Sequence, residues 1–281
     1  MSDEHLNRNI QQFYDAASHL WETTWGEHMH HGYYGADGTD RRDHVQAQID
    51  MIEELLHWGN VKQAHRVLDV GCGIGGSSLY LAKKIGVAVC GITLSPVQAA
   101  RARQRAAAVA LSDRTSFYVA DASDPPFAPE SFDLIWSLES GEHMPDKRHH
   151  LQVCADMLTP GGLLLMATWC HRPLPPVLSP REQRSLRRLY RAYHLPYIIS
   201  MPEYARFAAE IGYTEVTTDD WTQAVAPFWP AVVRSALHPR SLKGLIQAGW
   251  PTIWGALSMG LMIRGYRSGL IRFGVLKGRK P

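Results

Sequence analysis

Cysteine is scarce in this chain. Its 281 residues hold four, at positions 72, 90, 154 and 170. No two stand at a spacing that would clasp a metal or outline a disulfide framework. That excludes a stapled secreted scaffold and fits a reducing compartment. An excess of one charge is missing too. Lys and Arg number 29 against 27 Asp and Glu, a formal net charge of +2, so nucleic acid would find no broad basic face. No apolar run reaches the roughly 18 residues that would span a bilayer. The opening stretch, Met1 to Gln12, is polar and mixed in charge, unlike a secretory signal or an arginine-rich transit helix. What is present is enough chain for one large α/β domain or for one domain with an added lobe. Aromatic residues are plentiful: 9 Trp, 11 Tyr and 7 Phe. Many lie at 13–34 and 221–273, outside the predicted strands, and suggest a large apolar cavity or a greasy lid.

The centre of the sequence is residues 66–78, Arg-Val-Leu-Asp-Val-Gly-Cys-Gly-Ile-Gly-Gly-Ser-Ser. A short apolar strand runs into a glycine cluster and then into a helix. Glycines reach positive φ and let a ligand touch the backbone, and the first helical turn offers unpaired N–H groups. The Lys-Ser/Thr pair of a phosphate cradle is absent. Instead Asp69 stands just before Gly71, Cys72, Gly73 and Gly75. A carboxylate there suits a ligand with positive charge, such as the amino acid end and sulfonium of S-adenosylmethionine. A plain β-α turn would need one or two glycines rather than four in six residues.

Apolar runs alternating with helices predict an α/β fold built on a mostly parallel sheet. The expected strands are 66–70, 88–92, 116–120, 132–137, 162–169 (after the turn Thr159–Gly162), 213–219 and 270–276. Helices are expected over 8–25, 42–58, 77–84, 97–110, 181–195 and 200–210, with Ser95 capping Pro96 and Ser200 opening its own helix. Residues 171–180 hold four prolines and cannot be helical. Residues 224–270 read as broken helices, long for a sheet connection and unusually apolar, which fits a lid or packing on the sheet. The arginines of 181–191 read first as a solvated helix face and second as a contact for an anionic surface. Arg264, Arg267, Arg272 and Lys277 flank the apolar lid and are compatible with contact at a membrane surface.

In such sheets ligands lie beyond the C-terminal strand ends. Four groups meet there: Asp69 to Gly75, then Thr93, Leu94, Ser95 and Gln98, then Asp121 and Ala122, and finally Glu139, Glu142 and His143. Asp121 suits an adenine amine, or a helix cap. The second strand ends without the acidic residue that clamps a ribose, so Thr93 and Gln98 are the candidate substitutes. Glu139 serves both the cofactor and the catalytic set. His143 is the first candidate for a general base, because imidazole titrates near neutral pH. Glu142 would orient it or stabilise positive charge; His143 capping local backbone is the competing reading. Trp25, His30, His31, Tyr33, Trp169, Phe228, Trp229 and Trp254 are the candidate substrate wall. The histidines at 28, 30 and 31 lack an acidic or cysteine partner at ligand spacing, and no metal is expected.

Several stretches carry a specific resemblance: 69–78, Gly-Ile-Thr-Leu-Ser-Pro-Val-Gln at 91–98, Glu-Ser-Gly-Glu-His-Met-Pro-Asp-Lys at 139–147, and Thr-Trp-Cys-His-Arg at 168–172. In the tail they are Val-Ala-Pro-Phe-Trp-Pro-Ala-Val at 225–232 and Gly-Tyr-Arg-Ser-Gly-Leu-Ile-Arg-Phe at 265–273. Over nearly its full length the chain resembles the tocopherol C-methyltransferases, within the class I S-adenosylmethionine-dependent methyltransferases. The glycine motif marks only the superfamily, while the tail segments are far more specific. The resemblance implies a Rossmann-like fold, a seven-stranded sheet with an antiparallel last strand, and S-adenosylmethionine as cofactor with S-adenosylhomocysteine as product. The implied reaction is methylation of an aromatic ring carbon of a prenylated phenol, gamma-tocopherol to alpha-tocopherol. Relatives act on alkaloid nitrogens, so N- or C-methylation of another apolar small molecule, an indole alkaloid or isoprenoid, is the alternative. The implied organisation is one domain, 1–281. It has a helical cap at 1–60, a cofactor core at 61–170, and lids at 171–200 and 224–269. Plant members carry a transit peptide. This chain begins almost at the domain, and a bacterial or cyanobacterial cytoplasmic protein is expected, with oligomeric state open.

Overall fold

The computed structural model describes residues 8, 10–12, 15, 22, 26–236 and 250–281, with side chains for all of these except 234–236 and 250–257. The helix expected over 8–25 lies largely outside the described residues, and Trp25 wholly so.

Helix α1, His44–Trp58, begins where Asp43 accepts from the Val45 and Gln46 amides, as an N-cap carboxylate does for orphan donors. It buries Ala47, Met51, Ile52 and Leu55 completely, each large side chain contributing roughly 1.5–3 kcal/mol. The alternating core follows: β1 Arg66–Val70, α2 Gly76–Ile85, β2 Ala88–Thr93, α3 Pro96–Ala108, β3 Thr115–Val119, β4 Phe132–Leu138, a 3-10 turn Gly141–His143, α4 Lys147–Met157 and β5 Leu158–His171. The second half holds α5 Pro180–Tyr193, α6 Met201–Ile211, β6 Thr214–Asp220, α7 Thr222–Val225, α8 Phe228–Ala236, α9 Trp250–Arg267 and β7 Ile271–Arg279.

The seven strands form one sheet in the order β3-β2-β1-β4-β5-β7-β6. β1 to β5 are mutually parallel, and β7 runs antiparallel to both its neighbours. This is the class I methyltransferase arrangement expected above. Strands buried on both faces read as continuous apolar runs, yet their alternation is still visible. Val67, Leu134, Trp136, Leu165 and Ala167 belong to the core shared with α1, α8 and α9. Leu68, Val70, Ile135, Leu164 and Met166 face the other layer, with α4 and α6.

Two boundaries differ from expectation. β5 begins at Leu158 rather than Gly162, because the Thr159–Gly162 turn is taken into the sheet as an irregularity between the Phe132 and Leu134 pairings. The partner is the chain's end: Gly161 N donates to Lys280 O and Lys280 N to Gly162 O, each 2.9 Å. β7 correspondingly extends to Arg279. Because β1 to β5 are parallel, Val70, Thr93, Val119, Leu138 and His171 all end on one edge. That edge, closed over by residues from the N-terminal segment, carries the site.

Candidate active site

The turn after β1 is shaped by backbone that only glycine takes easily. Gly71 has φ 79° and Gly73 φ 53°, and the Gly71 and Cys72 amides both donate to Ile92 O at 2.9 Å, docking the turn on the end of β2. A Cβ at Gly71 would stand 2.4 Å from Ser140 Cβ. At Gly73 the nearest atom would be Met29 Sδ, 3.9 Å away, so a side chain there would project into the cavity. Gly75, at φ 80°, is not among the residues lining the cavity. A Cβ at Gly75 would meet Phe117 at 3.0 Å and Ala102 at 3.1 Å, so this glycine lets the turn pack against α3 and β3. Asp69 lies fully buried at the cavity floor. Its Oδ2 accepts from Ser78 Oγ at 2.5 Å, and no Lys or Arg among the described residues pairs with it. Burial pushes its carboxyl up to about 7, against the opposing Ser78 hydrogen bond.

Thr93, Leu94, Ser95, Gln98, Asp121 and Ala122 line the next stretch of the same cavity. Thr93 Oγ1 donates to Gln98 Oε1 at 2.9 Å, so the two candidates are one polar unit. Ser95 caps α3 by accepting from Gln98 N at 3.0 Å, as its sequence predicts, and its hydroxyl also donates to Asp15. A carboxylate does therefore stand near the end of β2, supplied from the N-terminal segment and invisible to motif reading. That segment is pinned over the site by Arg101 on Glu22 and by Arg105 on Glu27. Ile10, Gln11, Glu27, His28 and Met29 form its share of the wall. Asp121 folds back on its own turn, its Oδ1 accepting from Ser123 N and Oγ at 2.8 Å.

The fourth group leaves β4 with Glu139 at φ 54°, a left-handed geometry uncommon for any residue but glycine. Glu139 lines the cavity, and three donor atoms converge on its carboxylate. The His31 amide donates to Oε1 at 2.5 Å, and Trp169 Nε1 donates to Oε2 at 2.9 Å. His31 Nδ1 lies 2.8 Å from the same Oε2, and its Nε2 is 3.2 Å from Tyr266 Oη. Burial opposes ionisation of Glu139, but the attraction and hydrogen bonds of His31, helped by His30, hold its pKa below the usual value.

His31, expected on the substrate wall, is not among the residues lining this cavity. It is 1 % exposed, with the rings of Trp169, Phe228, Trp229, Tyr266 and Phe273 centred within 4.9–5.8 Å of its own. His30 does line the cavity, with Nδ1 2.8 Å from His31 O. Tyr33 packs edge-on to Trp221 at 5.2 Å, away from the cavity. Trp169, Phe228 and Trp229 are buried behind Glu139 and His31. Trp254 falls in α9, and its side chain lies outside the described set.

His143 lines the cavity but does not hold the near-neutral pKa expected of it. Burial lowers it to about 3, with the charges of Lys147 and His194 adding to the effect, so the imidazole is neutral at any working pH. Glu142 is not on the wall and does not orient His143. It accepts from Thr168 Oγ1 at 2.7 Å, and burial raises it to about 8, reinforced by the Glu139 charge. Sequence reading also missed Lys147. Its buried Nζ donates to Gly141 O, Glu142 O and Met144 O at 3.0, 2.8 and 2.7 Å, one carbonyl for each of its three protons. It staples the turn that carries His143. Lysine at the end of the 139–147 stretch was the available signal. Among the described residues no group of three His, Cys, Asp or Glu side chains is placed to hold a metal.

A methyltransferase domain family matches residues 67–162, the stretch that holds every cavity wall but the N-terminal one. The probable chloroplastic tocopherol O-methyltransferase of Oryza sativa subsp. japonica is 49 % identical over 285 residues, 98 % of this chain and 79 % of the rice protein. The chloroplastic tocopherol O-methyltransferase of Arabidopsis thaliana is 46 % identical over 292 residues, 100 % of this chain and 84 % of that protein. Among solved structures, geranyl diphosphate C-methyltransferase from Streptomyces coelicolor A3(2) superposes with a TM-score of 0.79 at 21 % identity, covering 98 % of each chain, and so shares the fold. With identity of this order along the whole length, and the sheet, glycine turn and strand-end cavity in place, the chain belongs to the tocopherol methyltransferase family of the class I S-adenosylmethionine-dependent methyltransferases.

Proposed function

We propose that this chain methylates a prenylated phenol at an aromatic ring carbon, gamma-tocopherol being the first candidate. The observation that carries the chemistry is the meeting of Asp69, Glu139 and His143 on one cavity at the C-terminal strand edge. The residues present fit S-adenosylmethionine. A buried carboxylate without a cationic partner awaits a positive group, and Gly73 leaves open the space its side chain would fill. Asp69, Gly71, Cys72 and Gly73 would hold the methionine end, Thr93 to Gln98 the ribose, and Asp121 with Ala122 the adenine. The bound cofactor supplies an activated methyl group.

The chain's own residues then have two tasks. They hold the acceptor in line, which is a large rate term, and they manage its proton. As methyl transfer builds positive charge on the ring, the phenolic proton becomes strongly acidic and passes to the neutral imidazole of His143, which burial leaves a weak base. The Glu139 carboxylate, fixed by His31 and Trp169, offsets the positive charge that results. When the ring carbon has gained its substituent its hydrogen leaves and the oxygen is reprotonated, with one proton released overall. The apolar cluster of Trp169, Phe228 and Trp229 stands beside this wall and suits a greasy acceptor. The inward side chains Tyr193 of α5 and Phe228 and Trp229 of α8 back the substrate side of the site.

The relatives above are named chloroplastic, so a plastid-type compartment joins the bacterial one expected from the sequence. The test is transfer of labelled methyl to gamma-tocopherol, to a quinol and to an indole alkaloid amine, with the product examined by NMR. A new ring methyl beside a free phenol is the expected outcome. A methyl ether would move the reaction to oxygen, transfer to the amine alone would assign nitrogen chemistry, and no transfer to any phenol would overturn the reading. Glu139→Gln should reduce turnover of the phenol about 100-fold or more.

A further inference from the structure

Helix α5 presents five arginines, Arg181, Arg184, Arg187, Arg188 and Arg191, all exposed. At 181, 184, 188 and 191 they repeat every three or four residues and so form one stripe. Leu186, Leu189 and Tyr193 are buried on the opposite side. The stripe is not neutralised. The helix's single acid, Glu182, is taken from outside the stripe by the Arg172 guanidinium at 2.7 and 3.0 Å. Among the described residues none of the five forms an ion pair with an acid. In a chain whose formal net charge is +2, this is a concentrated positive face.

An apolar apex adjoins it. In the loop that enters α5, Leu174 is 43 % and Val177 81 % exposed, the latter the highest of the exposed large apolar side chains among the described residues. This apex is not slack chain. Arg172 also donates to Pro173 O, Pro176 O and Val177 O at 3.1, 2.6 and 3.2 Å, fastening the loop from beneath so that its apolar side chains stay out. Acidic protein and nucleic acid would use the arginines but not a rigid apolar tip. Basic residues beside apolar ones are what a head-group layer accepts, charge on the phosphates and side chains at the acyl boundary.

We infer that α5 and the 173–179 loop form a docking surface for an anionic lipid bilayer. The placement is useful on the reading that the acceptor is a prenylated phenol, since such a molecule resides in membranes. Tyr193, on the inner side of α5, packs on Trp169 at 5.0 Å and Trp229 at 6.2 Å between ring centres. One side-chain layer therefore separates the docking face from the apolar wall of the site. Of the lid-flanking cations named in the sequence reading, Arg264 and Arg267 stay exposed and the other two serve elsewhere. Arg272 pairs with Asp220 and Lys277 donates to Trp58 O.

The test is flotation of the full chain with vesicles of phosphatidylcholine alone and of phosphatidylcholine with phosphatidylglycerol, at low and high salt. Binding to the anionic vesicles only, weakened by salt, is expected. A basic residue at such a surface is worth about fivefold in affinity. The Arg184→Gln/Arg187→Gln/Arg188→Gln variant should therefore bind about 100-fold more weakly, and Val177→Ser several-fold. Both should keep the wild-type melting curve and turnover of a short-chain, water-soluble chromanol. Equal binding to neutral vesicles, no flotation, undiminished binding by the triple variant, or capture by polyglutamate without flotation would each overturn the inference. A chain that floats but methylates no chromanol overturns the substrate reading and leaves the docking surface standing. One that methylates the chromanol without floating does the reverse.

Discussion

Replacing Asp69 by Asn removes a buried carboxyl of the cavity wall whose pKa lies near neutrality. Burial raises the Asp69 carboxyl to about 7 from its ordinary 3.8. Of the other wall residues, His28 and His143 are lowered to about 3 and stay neutral, while Glu139 is lowered and stays ionised. A cofactor ammonium beside Asp69 favours the carboxylate. Below pH 7 binding must therefore expel a proton, and affinity falls about tenfold per pH unit. At pH 5 it should be about 100-fold below its limit, or roughly 2.7 kcal/mol. Above about pH 8 the α-amino group of the cofactor loses its own proton and affinity declines again. The folded apo protein shows the complementary sign. A raised carboxyl pKa contributes stability that is complete below about pH 4 and is lost as pH rises through about 7. The thermal shift given by the cofactor should consequently grow from pH 5 to 7. Isothermal titration in two buffers of contrasting ionisation enthalpy reads both the affinity and the released proton, which approaches one per cofactor at pH 5. Asp69→Asn should bind weakly and with no slope across this range. A flat profile in the wild type, or an undiminished slope in the Asn variant, would refute the assignment of Asp69 to the cationic end.

Two further outcomes follow from the same wall. Gly71→Ala forces a left-handed backbone on alanine and a contact 2.4 Å from Ser140 Cβ. It should cost about 1–3 kcal/mol in a denaturation experiment and lower cofactor affinity more than tenfold; a normal binding isotherm would show that the turn is not a cradle. Lys147→Met leaves three buried carbonyls without their donor and should lower stability by about 1–3 kcal/mol. It also removes a charge that depresses His143, so the acidic limb of the kcat profile should move to higher pH. A folded variant whose acidic limb stays in place would remove His143 from proton transfer.

Features set by neighbours in the chain were readable in advance. The glycine turn, the Ser95–Pro96 start of α3 and the Ser200–Glu203 start of α6 depend on a few adjacent residues. The strand ends followed from apolar runs, and with them most of the cavity wall. Electrostatics was not readable, because it depends on what the fold brings near. The near-neutral base expected at His143 is undone by burial, by Lys147 and by His194. His31, expected on the substrate wall, is drawn inside by Glu139, 108 positions away, and by Tyr266, 235 positions away. The carboxylate near the end of β2 arrives as Asp15, 80 positions before Ser95. The extra length of β5 likewise depends on Lys280.

The position of β7 makes β6 a dependent of its neighbour. Ile271–Arg279 is not at the rim of the sheet but between β5 and β6, so β6 reaches the other strands only through it, and the short helix α7 also contacts it. Loss of β7 would detach β6 and turn β5 into a new open edge beside the existing one at β3. A cut before Ile271 would also release Lys280, whose ammonium holds Glu130 and the Leu158 carbonyl.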